Sequence, residues 1–507
     1  MPKILSTIVK LPALILPCLL GLLLAGGACA SPANLPTPPL RPTLMKAERF
    51  GEVRLFKPRT AIKSVAILAT GDGRWDDPLP MRMVQLLVDA GNAVVGIDTV
   101  AYLQAISDNG DQCIYMGGDF EDLAHVMEKQ LGVQRYLPPI LVGYSSGASL
   151  VYAVLAQVPR GTFQGGLSVS FCTVMDLDGS LCSSHGLLNK PIKQDDKAQM
   201  LLLPLHNVSA SWVVLQGEQD QYCTVGTARQ FSAQITAAQL RTVPKVDHFL
   251  GDLGQWRDGF LHAYQGLQPA KAVAALPPEV SDLPVTEVPS THPGDELAIL
   301  LTGDGGWAEL DQELARELSA SGVSVVALSS LQYFWKERKP QQAAKDIARL
   351  MAHYSQVWQR PRIRLLGYSF GADVLPAIAN ALPAEDRLRV VSIGLLSLLP
   401  RTSFEIRVVG WLGQVVGEQP VRPELEVLAA AGIPITCVYG RDDKESLCRD
   451  LPATVAHVVA LPGGHDCNDD HAAIVRAWLA GRGAPAARSV VDKPASVTVP
   501  ALHSDHL

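Results

Sequence analysis

The sequence predicts an α/β fold arranged as two tandem domains, each a mainly parallel sheet flanked by helices, and three observations predict it. An apolar run enters Gly-x-Ser-x-Gly and then a helical stretch twice, at Ile140–Ala148 and Arg364–Ala372. A second landmark also recurs: Ala66-Ile-Leu-Ala-Thr-Gly71-Asp72-Gly73-Arg74-Trp75 matches Ala298-Ile-Leu-Leu-Thr-Gly303-Asp304-Gly305-Gly306-Trp307. Finally, β-like and helical runs alternate through each copy. Parallel strands need a long crossover, which a helix supplies, so alternation of this kind implies a parallel sheet.

The segments follow in chain order. Residues 1–30 read as a secretory signal, with Lys3 and Lys10 before the apolar stretch Leu11–Ala25 and Ala28-Cys29-Ala30 before Ser31. Lipid attachment at Cys29 is the alternative, but Gly26 stands where such sites usually carry leucine. The mature chain is therefore expected in the periplasm. Residues 31–45 are a Pro-rich linker, 46–267 the first domain, 268–293 a second Pro-rich linker, 294–482 the second domain, and 483–507 a tail expected to be disordered. In the second domain, strands are predicted at Leu297–Leu301, Ser324–Leu328, Arg362–Leu366, Val390–Leu395, Ile435–Tyr439 and His457–Leu461. Helices are predicted at Leu310–Ser319, Pro340–Val357, Ala372–Leu382 and His471–Leu479.

Composition narrows the function classes. At 507 residues the chain exceeds a single core. A net charge of −7 gives no basic footprint for nucleic acid. Beyond the signal, no run approaches the ~20 apolar residues that span a bilayer. No CxxC or HxxxH spacing occurs, so neither metal nor other cofactor is expected. Nine cysteines in an exported chain suit disulfides, and Cys172–Cys182 and Cys448–Cys467 are the expected pairs. The second pair would tie the Asp443 loop to the His465 loop; buried free thiols are the alternative.

The chemistry lies in what accompanies the serines. Val213–Asp220 matches Ile435–Asp443, each an apolar run closed by glycine and then aspartate, and His248 and His465 each follow a further short apolar strand. Ser, Asp, His is the triad order of the α/β-hydrolase fold, whose active site sits at the carboxyl ends of the strands. A serine hydroxyl needs a base within reach and the base needs an orienting carboxylate, roles that Ser369, His465 and Asp443 fill in the second copy. Asp442 is an adjacent alternative, disfavoured because the glycine-x-x-aspartate spacing of both copies selects Asp443. The oxyanion is expected to meet the amide of Phe370 and that of Gly305 or Gly306. The first copy keeps Ser145, Asp220 and His248, a possible second site. There, however, Arg74 replaces Gly306, Ser146 replaces Phe370, and Val246-Asp247 replaces Gly463-Gly464. Scaffolding or substrate gathering is the expected role, with independent activity the alternative.

With Gly303-Asp-Gly-Gly-Trp307, Gly367-Tyr-Ser-Phe-Gly-Ala-Asp-Val-Leu-Pro376 and Pro462-Gly-Gly-His465 in view, the second half resembles the VirJ/AcvB family of bacterial virulence proteins, and the duplication resembles its two-domain form. The resemblance implies a periplasmic serine hydrolase of lysyl- or alanyl-phosphatidylglycerol, with catalysis mapping onto Ser369, Asp443 and His465. Its implied partners are the aminoacylated phospholipid headgroup and secretion-system proteins. Such a substrate carries an ammonium, for which Asp304, Asp373 and Asp466 are candidate contacts. Asp469 and Asp470 lie close by in sequence, and for Asp373, Asp469 and Asp470 helix-start stabilisation is the plainer role. Phe404–Val416, apolar with Trp411, offers a lipid entry or, in the preferred reading, a strand and cap on the core. A general esterase or thioesterase and a non-catalytic secretion adaptor are the competing functions.

Overall fold

The computed structural model describes residues 40–107, 113–194, 197–268, 278–407 and 417–481. The first copy folds on an eight-stranded sheet. Its strands are β1 (Thr43–Ala47), β2 (Gly51–Phe56), β3 (Val65–Ala69), β4 (Ala93–Ile97), β5 (Ile140–Tyr144), β6 (Gly165–Val169), β7 (Trp212–Gly217) and β8 (Ala238–Val243), in spatial order β1-β2-β4-β3-β5-β6-β7-β8. The second copy repeats the plan without the outermost strand. It comprises β9 (Val285–Val288), β10 (Glu296–Leu301), β11 (Ser324–Leu328), β12 (Arg362–Tyr368), β13 (Val390–Leu396), β14 (Ile435–Gly440) and β15 (His457–Leu461), ordered β9-β11-β10-β12-β13-β14-β15. Pairing is antiparallel only at the β1, β2 and β9 edges; from β4 to β8 and from β11 to β15 every neighbour is parallel. Both sheets are thus α/β-hydrolase-like.

The central strands read as unbroken apolar runs because helices cover both faces. β3, β4 and β5 are buried at every position. Buried in the second sheet is one ion pair: Arg364 reaches Glu296 with Nε 2.7 Å from Oε2 and Nη2 3.1 Å from Oε1, while Nη1 donates to Ser392 Oγ at 2.7 Å. That network satisfies charges which would otherwise be costly between β10, β12 and β13.

Proline density misled the reading of the seams. Val285–Val288 lies inside the stretch expected to be a linker, and β1 begins before residue 45. Both are edge strands, where a flanking proline removes no ladder bond. A three-stranded antiparallel insert, Val174–Met175, Asn189–Gln194 and Lys197–Leu202, was not foreseen. The signal at 1–30 with Cys29, and the tail at 483–507, lie outside the described residues. Among the described residues no helix is long and apolar enough to cross a membrane.

The cysteine pairing is corrected. The bridges are Cys113–Cys182, Cys172–Cys223 and Cys437–Cys448, and Cys467 is free and buried. Neither Cys172–Cys182 nor Cys448–Cys467 forms. Cys172 follows β6 and meets the loop after its sheet neighbour β7, an adjacency set by strand order that sequence spacing does not reveal. The Cys448 bridge holds the segment after Asp443 to its own strand β14, not to the His465 loop.

Candidate active site

Two reversals of the chain create the two serine sites. Ser369 has φ 49° and ψ −121°, and Ser145 φ 54° and ψ −118°. Non-glycine residues rarely hold this conformation, and it persists where the surroundings over-determine it. The flanking glycines do so. A Cβ on Gly371 would collide with Leu301 O and one on Gly147 with Ala69 O, so the helix after each serine packs directly on the neighbouring strand. The turn is the strained strand-to-helix elbow that lifts a hydroxyl above the sheet.

In the second copy the three expected residues meet. His465 Nε2 lies 2.9 Å from Ser369 Oγ, and His465 Nδ1 lies 3.1 Å from Asp443 Oδ2. One tautomer satisfies both contacts, with Nδ1–H donating to the carboxylate and Nε2 accepting from the hydroxyl. Asp443 is buried, and its other oxygen accepts the Glu445 amide at 3.2 Å. Its neighbour Asp442 is exposed, which resolves the alternative in favour of Asp443. Ser397 Oγ donates to the carbonyl of His465 and so fixes the loop that carries the imidazole. Sequence reading missed this serine, which is distant in the chain.

Phe370 opens the helix Phe370–Ala381, so its amide belongs to the first turn, where N–H groups lack intrahelical acceptors. In the glycine loop, the Gly306 amide donates to Gly303 O at 3.1 Å. Gly306 is therefore committed to its own turn, which leaves Gly305 of the two expected glycines; Gly303 packs on the serine, where a Cβ would lie 3.8 Å from Ser369 Cβ. Asp304 shares a cleft with Ser369, Phe370 and Asp373, whose far wall carries Arg401 and Arg407. These arginines were not singled out from sequence; Arg407 Nη1 pairs with Glu418 Oε1 at 3.0 Å. Ile406 is buried at the cleft wall, Phe404 packs beneath it on Phe334 with ring centroids 6.2 Å apart, and residues 408–416 of the apolar run lie outside the described residues.

The acidic candidates separate. Asp373 is buried and accepts the Leu399 amide at 2.7 Å, so it braces the loop after β13. Burial holds its carboxyl well above the usual range, against the opposing pull of that amide. Asp466 accepts the Asn468 amide at 3.0 Å and Asp470 the Ala473 amide at 3.0 Å; both are turn or helix caps.

The first copy assembles the same relay. Ser145 Oγ lies 3.0 Å from His248 Nε2, and His248 Nδ1 lies 2.9 Å from Asp220 Oδ2. Access differs. The His248 side chain is 8 % exposed against 42 % for His465. Tyr222 and Phe249 pack on the imidazole with ring centroids 5.3 and 5.5 Å away. Arg74 takes the left-handed position of Gly306 and is held by Asp98, Nε to Oδ2 at 2.6 Å. Asp220, Cys223 and His248 have metal-ligand types within reach of one another, but the Cys223 sulfur is committed to Cys172.

The sequence matches the model of VirJ, a bacterial virulence protein, over residues 63–237 and 295–483. No curated protein matches it. Among solved structures it is similar to Est1E from Butyrivibrio proteoclasticus, at 12% identity over 45% of this chain and 98% of that one, with a TM-score of 0.31. An α/β serine hydrolase homologue from Coxiella burnetii is 15% identical over 46% of this chain and 97% of its own, TM-score 0.30. XC6422 from Xanthomonas campestris, an α/β serine hydrolase without a lid, is 15% identical over 46% and 98%, TM-score 0.31.

Proposed function

Since the chain belongs to the VirJ family of bacterial virulence proteins, matched across both of its copies, we propose that the second copy is a serine hydrolase that cleaves the aminoacyl ester of aminoacyl-phosphatidylglycerol at the periplasmic membrane face. The observation that carries this reading is the continuous Ser369–His465–Asp443 relay at an accessible elbow. Ser369 Oγ attacks the ester carbonyl carbon as its proton passes to His465 Nε2. The tetrahedral oxyanion meets the Phe370 amide and a glycine-loop amide. Collapse breaks the acyl–oxygen bond, and the imidazolium protonates the departing glycerol oxygen. Water then attacks the acyl-serine with His465 as base, releasing the amino acid and restoring the hydroxyl.

Charge around the cleft supports this substrate. An aminoacyl phospholipid is cationic on its acyl side and anionic at the phosphate of its alcohol side. Arg401, which also donates to Gly417 O and Glu418 O, and Arg407, paired with Glu418, bring positive charge for the phosphate, and the carboxylates near Asp304 suit the ammonium.

The test uses purified protein with vesicles containing lysyl- or alanyl-phosphatidylglycerol, reading amino acid release. Ser369→Ala is expected to lose about a thousandfold or more in turnover. Equal kcat/KM for a simple aryl ester would favour a general esterase. Undiminished lipid cleavage by Ser369→Ala would sink the proposal. A cellular phenotype preserved in that variant would instead favour the secretion adaptor.

A further inference from the structure

The two copies meet at an acidic cavity of about 460 Å³ beside the glycine loop, lined by Glu121 and His185 of the first and Asp304 of the second. They meet again at the Ser369 cleft, whose wall carries Arg401, Thr402, Ser403, Glu405, Ile406 and Arg407. Little regular structure holds that wall. Past the two-residue strand Arg401–Thr402 it is fastened to residues 334–338 by two backbone bonds, Ile406 N–H to Phe334 O at 2.7 Å and Arg338 N–H to Phe404 O at 2.9 Å.

Lys129, in the last turn of the first copy's helix Met116–Leu131, closes on both sides of this pairing. Its ammonium donates to Trp335 O on one side and lies 3.1 Å from Glu405 Oε1 on the other, 4.5 Å above the Trp335 ring. Lys336 Nζ reaches back to Gln134 Oε1, and Trp335 Nε1–H to Val133 O, so both copies build the contact. The charges of the wall are matched accordingly. Glu418 takes up Arg407 and Lys129 takes up Glu405, whereas Arg401, whose bonds go to the carbonyls of Gly417 and Glu418, pairs with no carboxylate among the described residues. The cleft therefore keeps one cation without an ionic partner. Glu405 lines the same cleft, and a carboxylate without its own counter-charge is drawn to a neighbouring guanidinium.

We propose that Lys129 is a specificity-determining residue that the first copy supplies to the second: by neutralising Glu405 and pinning it beside Trp335, it keeps Arg401 available for an anionic group on the alcohol side of the ester. The inference rests on the hydrolase reading above, and it gives the first copy a part in the reaction that needs no chemistry at Ser145. Lys129 touches no reacting atom. It acts through Glu405, as a positioning residue.

The test is kinetic and uses full-length protein with two soluble esters, lysine esterified to glycerol 3-phosphate and lysine esterified to glycerol, which differ only in the phosphate. Lys129→Met is expected to raise the KM of the first ester relative to the second about fivefold, the scale of one partly exposed ion pair, with the change in KM and not in kcat. Adding Glu405→Gln to that variant removes the stranded carboxylate and is expected to bring the ratio back to within twofold of wild type. A merely structural contact predicts no such recovery, since the double variant has lost both partners. An unchanged ratio in Lys129→Met, or a double variant no better than the single one, would overturn the proposal. Thermal melting checks folding. Should Lys129→Met not fold, Glu405→Gln alone decides: a ratio at or below that of wild type is expected, and a raised ratio overturns the assignment. If wild type cleaves neither ester, the hydrolase reading falls and calorimetry with glycerol 3-phosphate on the same proteins tests the anion site by itself. Binding about fivefold weaker in Lys129→Met and recovered in the double variant keeps that site, and equal binding removes it.

Discussion

Glu121 illustrates how one residue reports on the whole site. From its own helix Asp122 faces it, from the glycine loop of the other copy Asp304, and Tyr115 and His185 stand near it from the preceding loop and the cavity wall. Burial and the two aspartates favour its neutral form, raising its folded pKa to about 7 from the 4.5 of an exposed glutamate. The folded state therefore binds more protons than the unfolded state between those values. Stability contributed by the protonated carboxyl is complete below about 4.5 and lost as pH rises through about 7. Melting temperature followed from pH 4.5 to 8 is expected to fall less steeply for Glu121→Gln than for wild type; identical slopes would mean the residue does not titrate there. Little of this was legible in the sequence. Ser369, Asp443 and His465 announce themselves through order and glycine flanks, because a reversal that tight admits few residues. Glu121 carries no such mark, since what distinguishes it is burial against another part of the chain.

At the scale of the element, the helix Met116–Leu131 joins the copies. Glu121, His125 and Lys129 recur every four residues and so share one face. His125 packs on Trp335 with ring centroids 6.2 Å apart; Lys129 Nζ sits 4.5 Å above the Trp335 ring and 3.1 Å from Glu405 Oε1. Trp335 is buried and donates Nε1–H to Val133 O at 3.2 Å. The strands and helices predicted for the second copy match to within two residues, because apolar runs and amphipathic period are local properties, whereas the edge strand Val285–Val288 and the helix Arg422–Ala430 were missed. The four-residue stripe was also present, yet a charged face reads as solvated until its partner is known. Trp335→Ala removes the ring that His125, Lys129 and Tyr136 share. A loss of about 3–5 kcal/mol is expected from the cavity alone. Denaturant unfolding measures it. A loss below about 1 kcal/mol would show that His125, Lys129 and Tyr136 hold the helix without the ring.

Across the whole molecule, one catalytic plan is written twice and its copies have parted in access, not in hydrogen bonding. Ser145 is 6 % exposed, His248 packs against Tyr222 and Phe249, and the Arg74 side chain is tied to Asp98 where the second copy has glycine. A relay with little solvent access still has a structural role. Ser145, His248 and Asp220 satisfy one another, while Asp220 Oδ1 also accepts the amides of Tyr222 at 2.9 Å and Cys223 at 2.8 Å. Removing one member of a buried polar network strands its partner. Ser145→Ala should therefore cost about 1–3 kcal/mol of stability by leaving His248 Nε2 unpaired, and leave lipid cleavage within about twofold of wild type. Ser369→Ala should do the opposite, abolishing cleavage at little cost in stability, because His465 is open to water, which replaces the lost partner. A serine-directed fluorophosphonate, mapped by mass spectrometry, gives the independent reading: Ser369 labels and Ser145 does not. Labelling of both serines at similar rates would mean that the aromatic cover opens in solution, and the first copy would then be a second hydrolase.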